Sequence, residues 1–250
     1  LATVITYIKP SHNLDTFTAC LQNAQKSKYL DKFFISFKEK ISEEFINQLN
    51  KYDNVFWKDE VDNFWATEIK KMILENPDEY YYLWEEDSHI FDIAQFDTTY
   101  EKFISTDVDF LFTQDLKWIK RSEHLLDANL VLDEGDFRFF YWGARYAEHC
   151  RKTSTDSLVN GAYPVTIAGI FRAKLIVELL DTFMNSKHWK EITSGNFTHF
   201  HHNPQLPHSF EVFPEFWWED KGGSGNLEYK AMVCKKQFAE ELGERLVTKL

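Results

Sequence analysis

Apolar residues in the first ninety positions follow two alternating rhythms: short β-branched or aromatic runs, and longer stretches at helical spacing. Thr3–Ile8 (TVITYI) is the first short run. It stops at Lys9-Pro10, where proline removes a donor that a central strand needs. Leu14, Phe17, Cys20, Leu21 and Ala24 then recur at three- and four-residue spacing, which predicts a helix capped by Asn13 or Asp15. Lys32–Phe37 (KFFISF) predicts a second strand, and Ser42–Asn50 a helix with an acidic first turn. Asn54–Lys58 (NVFWK) predicts a third strand, and Phe64–Leu74 a third helix closed by Asn76-Pro77. Tyr80–Trp84 (YYYLW) predicts a fourth strand that runs directly into Glu85-Glu86-Asp87.

Strands separated by helix-length connections imply a mostly parallel sheet flanked by helices, an α/β class. In such sheets ligands bind beyond the carboxyl ends of the strands, and the acidic triplet follows one of those ends. The second half of the chain is less regular. Asp107–Phe112 and Ala128–Leu132 read as strands, and Tyr163–Ile170 as a strand reaching Gly169. A helix is expected from about Arg172 to Asn185, a loop rich in His, Pro, Phe and Trp over 194–226, and a final helix over Lys235–Lys249. With 250 residues and no marked linker, a single domain over residues 1–250 is expected, its regular part ending at about residue 92.

Composition narrows the function. A net charge of −12 without a Lys/Arg run excludes an extended nucleic-acid surface, although one anion can still be bound locally. Cys20, Cys150 and Cys234 are far apart and odd in number, so a reducing, cytoplasmic compartment is expected. No run is long enough to span a membrane. The many aromatic residues serve core packing or a cleft that stacks on sugar rings or a base.

Three adjacent carboxylates at a strand end repel one another, and a bound cation relieves that repulsion. Hard oxygen ligands suit Mg²⁺ or Mn²⁺, which keep waters and bridge substrate phosphates. The first strand TVITY, the helix DNFWATEIKKMI and the strand YYYLW ending in the acidic triplet together resemble the GT-A class of nucleotide-sugar-dependent glycosyltransferases. The resemblance covers roughly residues 3–92, and 160–175 more loosely, and it implies one catalytic domain with a nucleotide-binding half to about residue 92 and an acceptor-side half after it. In that family the triplet is a DxD motif whose last Asp binds the metal on the donor diphosphate. Here it reads EED, which implies Asp87 as a metal ligand, with Glu85 beside it.

The resemblance implies further roles. A nucleotide pocket at the first strand ends maps onto Thr6, Tyr7, Ser36 and Asp59, with Tyr7 stacking on the base and Asp59 accepting from a base N–H. Lys70 would face the diphosphate. In GAYPVTIAGIFR, Gly169 would let the backbone approach the donor sugar and Arg172 would pair with phosphate. An xED motif that supplies the base of inverting members matches Trp218-Glu219-Asp220, with Asp133 and Glu134 as rivals. Of His199, His201, His202 and His208, either His201 or His202 would be a further metal ligand.

The expected function is metal-assisted transfer of a sugar from a nucleotide diphosphate donor to a glycan or other hydroxyl acceptor. Two readings compete. A sugar nucleotidyltransferase resembles a Gly-rich first loop, which Lys9-Pro10-Ser11-His12 does not match. A non-catalytic carbohydrate-binding protein has no need of a carboxylate triplet at a strand end.

Overall fold

The computed structural model describes residues 1–8, 14–84, 88–113, 130–143, 169–185, 189, 193–194 and 228–241. Its first half follows the predicted order: β1 (Ala2–Ile8), α1 (Leu14–Ala24), β2 (Leu30–Phe37), α2 (Glu43–Leu49), β3 (Val55–Lys58), α3 (Trp65–Glu75) and β4 (Tyr80–Leu83). Local chemistry accounts for the boundaries. Ser42 Oγ accepts from the Phe45 amide at 3.2 Å and starts α2. Asn76 ends α3, one residue before Pro77.

Beyond β4 come β5 (Ser88–Ile90), α4 (Ile93–Ile104), β6 (Phe110–Phe112), β7 (Leu130–Glu134), β8 (Phe137–Gly143), β9 (Gly169–Arg172), α5 (Ala173–Asn185), β10 (Glu228–Cys234) and β11 (Ala239–Glu241). The pattern predicts neither α4 nor β8. The expected C-terminal helix is corrected over its described part, because residues 235–241 leave β10, bend and enter β11. Ala231–Cys234 is buried between β6 and β8, and Lys235 and Lys236 pair with Asp133 and Asp136 across the sheet. Those ties hold the segment extended. Arg172, expected to open the helix, is instead the last residue of β9.

The nine-stranded sheet has the order β3-β2-β1-β4-β9-β6-β10-β8-β7. β1 pairs in parallel with β2 and β4, β2 with β3, and β6 with β10. β9 and β8 run against the others. The fold is therefore mixed α/β with a mostly parallel central sheet. Side-chain alternation sends Val4, Phe33 and Tyr82 to one face, against Phe17, Leu21 and Phe45 of α1 and α2 and Phe96 and Tyr100 of α4. Ile5, Tyr81 and Leu83 go to the other, against Trp65, Ile69 and Met72 of α3 and Ile176 and Leu180 of α5.

Helix placement follows from strand order. Steps from β1 to β2 to β3 move outward in one direction, and right-handed crossovers put α1 and α2 on one face. The step from β3 back to β4, on the far side of β1, reverses direction and puts α3 on the opposite face. This reversal opens a crevice between β1 and β4 at their carboxyl ends.

Candidate functional site

β4 ends at that crevice, and the acidic triplet follows it in sequence, after Trp84. Trp84 and Ser88 flank it, and both are placed: the Trp84 amide donates to Ile5 O of β1 at 3.0 Å, and Trp84 Nε1 donates to Ser88 O at 2.9 Å. Glu85, Glu86 and Asp87 themselves lie outside the described residues, as do His201, His202, Glu219 and Asp220. Among the described residues no group of three His, Cys, Asp or Glu side chains is arranged to hold a metal ion. What suits a hard divalent cation is thus the donor chemistry of the triplet, three carboxylates within three residues.

Beside the crevice, at the carboxyl ends of β1, β2 and β3, a polar network converges on Glu68 of α3. Its carboxylate is fully buried. Ser36 Oγ donates to Oε1 at 3.0 Å, Asn63 Nδ2 donates to Oε2 at 2.8 Å, and Lys58 Nζ forms an ion pair with Oε1. Tyr7 OH donates to the Asn63 carbonyl at 3.0 Å, so β1 joins the same network. Burial pushes the Glu68 carboxyl upward, but the donors Lys58, Asn63 and Ser36 outweigh it and hold it below the usual carboxylate value. Tyr7 is pushed up to about 12, first by burial and then by the charges of Glu68 and Asp62. At pH 7 Glu68 is therefore a carboxylate and Tyr7 a neutral hydroxyl.

This geometry revises several expected roles. Ser36 is buried with its hydroxyl committed to Glu68 and beside Met72 Sδ at 3.4 Å, so it is not free for a nucleotide. Tyr7 packs in the α3-side core instead of presenting a stacking face. Lys70 pairs with Asp181 of α5, a tie between two helices that leads away from the crevice. Asp59 directly follows β3, and one of its carboxylate oxygens accepts from the Ile41 amide at 3.2 Å. Thr6 Oγ1, buried near the end of β1, has no hydrogen-bond partner among the described residues.

Gly169 aligns with Leu83 of β4 and Phe112 of β6, at the correct end of the sheet. Its missing side chain makes room for another reason: a Cβ there would sit 2.1 Å from Phe110 Cε2 and 2.8 Å from Leu111 O. The glycine admits the Phe110 ring and the neighbouring strand. Arg172 lies at the opposite end of the sheet, opposite Tyr80 at the start of β4. Its guanidinium donates to Val108 O and Thr106 O, both at 2.8 Å, and to Tyr80 OH at 3.0 Å. It does not face the crevice, because β9 runs antiparallel and ends where the parallel strands begin.

Asp133 and Glu134 are likewise far from β4. Leu83, Gly169, Phe112, Val233, Arg138 and Asp133 form one row across the sheet, so Asp133 is five strand spacings away, about 24 Å. Lys235 and Arg138 pair with Asp133 and hold its carboxyl below the usual range. Glu134 pairs with Lys102 at 3.1 Å. A general base needs reach and an available carboxylate, and this edge of the sheet supplies neither.

Sequence reasoning missed Lys58, Asn63 and Glu68. One signal was legible: Glu68 interrupts the apolar stripe of Trp65, Ile69, Met72 and Ile73, where a charge is rare unless it is paired.

No family model and no curated protein matches the chain. Among solved structures it is similar to S. aureus TarS 1–349, at a TM-score of 0.52 and 9% identity over 95% of this chain and 59% of that one. The same protein in complex with UDP aligns at 0.50 and 8% identity, over 96% and 60%. The fold is GT-A. The chain thus spans about three-fifths of TarS 1–349. It is also similar to 4-diphosphocytidyl-2C-methyl-D-erythritol synthase from Anaerococcus prevotii, at 12% identity and a TM-score of 0.49 over 93% of this chain and 86% of that one. Nothing rests on that last score. Identities this low establish the GT-A architecture alone, with the crevice at the β1/β4 reversal as its candidate site.

Proposed function

We propose that this protein is a glycosyltransferase that moves a sugar from a nucleoside diphosphate donor to a hydroxyl acceptor, with Mn²⁺ or Mg²⁺ as cofactor. One observation carries the reading: strand order reverses at β1/β4, and β4 leads into the acidic triplet at the carboxyl end of that reversal. A fold shared with a protein solved in complex with UDP supports it.

In this reading Asp87 and Glu85 hold the cation, with His201 or His202 as a further ligand. The cation supplies positive charge against the diphosphate that leaves the sugar. The nucleoside lies over the ends of β1, β2 and β3, beside Thr6 and Asp59. Asp220, following Glu219, takes the proton from a glycan or other hydroxyl acceptor, since Asp133 and Glu134 are engaged elsewhere. A reducing, cytoplasmic compartment suits the buried Cys20 and Cys234, neither of which is in a disulfide.

Thermal melts with UDP, GDP and thymidine diphosphate, with and without Mn²⁺, test the reading. At a hundredfold excess over Kd the nucleotide should stabilise the protein by about 2.7 kcal/mol, a rise of about 5–10 °C, and only with metal. Asp87→Ala should melt as the wild type does without ligand and lose the metal-dependent rise. Equal shifts with and without metal, or an intact response in Asp87→Ala, would remove the metal bridge from the account.

A further inference from the structure

The acidic triplet is bounded by two residues that are themselves joined. Trp84 is buried, and its indole Nε1 donates to the Ser88 carbonyl at 2.9 Å, a buried bond that spans the three residues between them. Each end is also fastened to a sheet. The Trp84 amide donates to Ile5 O of β1 at 3.0 Å. Ser88, buried as well, pairs with Glu241 where β5 meets β11, and the Asp92 amide donates to Phe238 O beyond them.

Packing requires the Trp84 ring but not its N–H. The ring lies against Phe17 of α1 and Phe33 of β2, with centroids 5.3 and 6.3 Å away, in the core beneath α1 and α2. The N–H is not what holds β5 in place either, because β11 already pairs with all three of its residues. What the N–H adds is a fixed span across the triplet. Closing a short segment at both ends removes arrangements that it would otherwise sample. A ligand set held in few arrangements then loses less freedom when it binds. Three mutually repelling carboxylates are where such a restraint matters most, since repulsion alone drives them apart.

We propose that Trp84 is a positioning residue for the triplet: by tying Trp84 to Ser88, its indole N–H sets the span over which Glu85 and Asp87 receive the divalent cation. The inference rests on the metal reading above and adds the residue that prepares the site before the cation arrives. Trp84 itself offers the cation no ligand atom, since its indole nitrogen is a donor and is already engaged.

Electron paramagnetic resonance of free Mn²⁺, titrated with UDP present against the wild type, Trp84→Phe and Trp65→Phe, tests it. Trp65 is the control, a tryptophan as buried as Trp84 but on α3, at the opposite face of the sheet. Both substitutions should lower Tm. Only Trp84→Phe should weaken Mn²⁺ binding, by about three- to tenfold, the strength of one net hydrogen bond. A merely structural tryptophan would leave Mn²⁺ affinity alone in both variants, or weaken it in both alike. Should Trp84→Phe fail to fold, Trp84→Met, an apolar side chain that adapts to irregular space and carries no donor, takes its place. Wild-type Mn²⁺ affinity in the Trp84 variant, or an equal loss in Trp65→Phe, overturns the proposal and leaves the metal reading standing. A wild type that binds no Mn²⁺ overturns both.

Discussion

Glu68 shows how a single side chain can be expensive to bury and still organise a site. Its carboxylate is removed from water, yet Lys58, Asn63 and Ser36 keep it ionised at neutral pH. Because its folded-state pKa lies below the ordinary 4.5, its contribution is complete above that value and is lost as pH falls through the lower folded one. Glu68→Gln should therefore be less stable than wild type at pH 7, by about 1–3 kcal/mol. The gap should narrow as pH drops below 4.5, and denaturant titrations at pH 7 and pH 3 measure it. Parallel losses in the two proteins would mean that Glu68 is not the group responsible. Near it, Glu60 has φ 53, a left-handed conformation that a side chain seldom adopts, in the loop that also carries Asp59 and Asn63. The sequence shows a charge in an apolar stripe here. It does not show which donors meet that charge, since Ser36, Lys58 and Asn63 come from other elements.

At the scale of elements, β9 shows how one strand's direction reassigns residues. An antiparallel strand between β4 and β6 places Gly169 at the crevice end and Arg172 at the far end. Arg172 ties β9 to the segment before β6 through Thr106 O and Val108 O, and lies over the Tyr80 ring, 5.2 Å from its centre. Arg172→Ala should leave the Thr106 and Val108 carbonyls short of a donor and cost about 1–3 kcal/mol, a fall in Tm of about 2–10 °C. Nucleotide affinity should not change. A variant that melts normally but loses nucleotide would return Arg172 to the phosphate role. The same logic applies to Lys70, which the sequence places on α3 but only the packing of α3 against α5 aims at Asp181.

Over the whole molecule, the central strands β1, β4, β9 and β6 are covered by helices on both faces, whereas β3 and β7 are the edges of the described sheet. Protection from hydrogen exchange should follow that order, with β1 and β4 amides slowest and β3 and β7 fastest among the strands. Exchange mass spectrometry checks it, and a β3 as slow as β1 would point to a partner covering that edge. At this scale the sequence was legible where structure is local. The alternation of short apolar runs with helical stretches, punctuated by Pro10, Ser42 and Pro77, specifies the β/α units of the first half, because periodicity and capping act within a few residues. It also predicted β4, the strand that the acidic triplet follows in sequence. Tertiary structure alone decided the rest. That β10 is a strand and residues 235–241 are not a helix follows from pairing with β6, β8 and β5, partners more than eighty residues away. Which carboxylates lie near β4 was equally beyond the sequence: Asp133 is in the same row as Leu83 yet five strands from β4. Strand order and direction are collective properties of the closed sheet, and no window of sequence contains them.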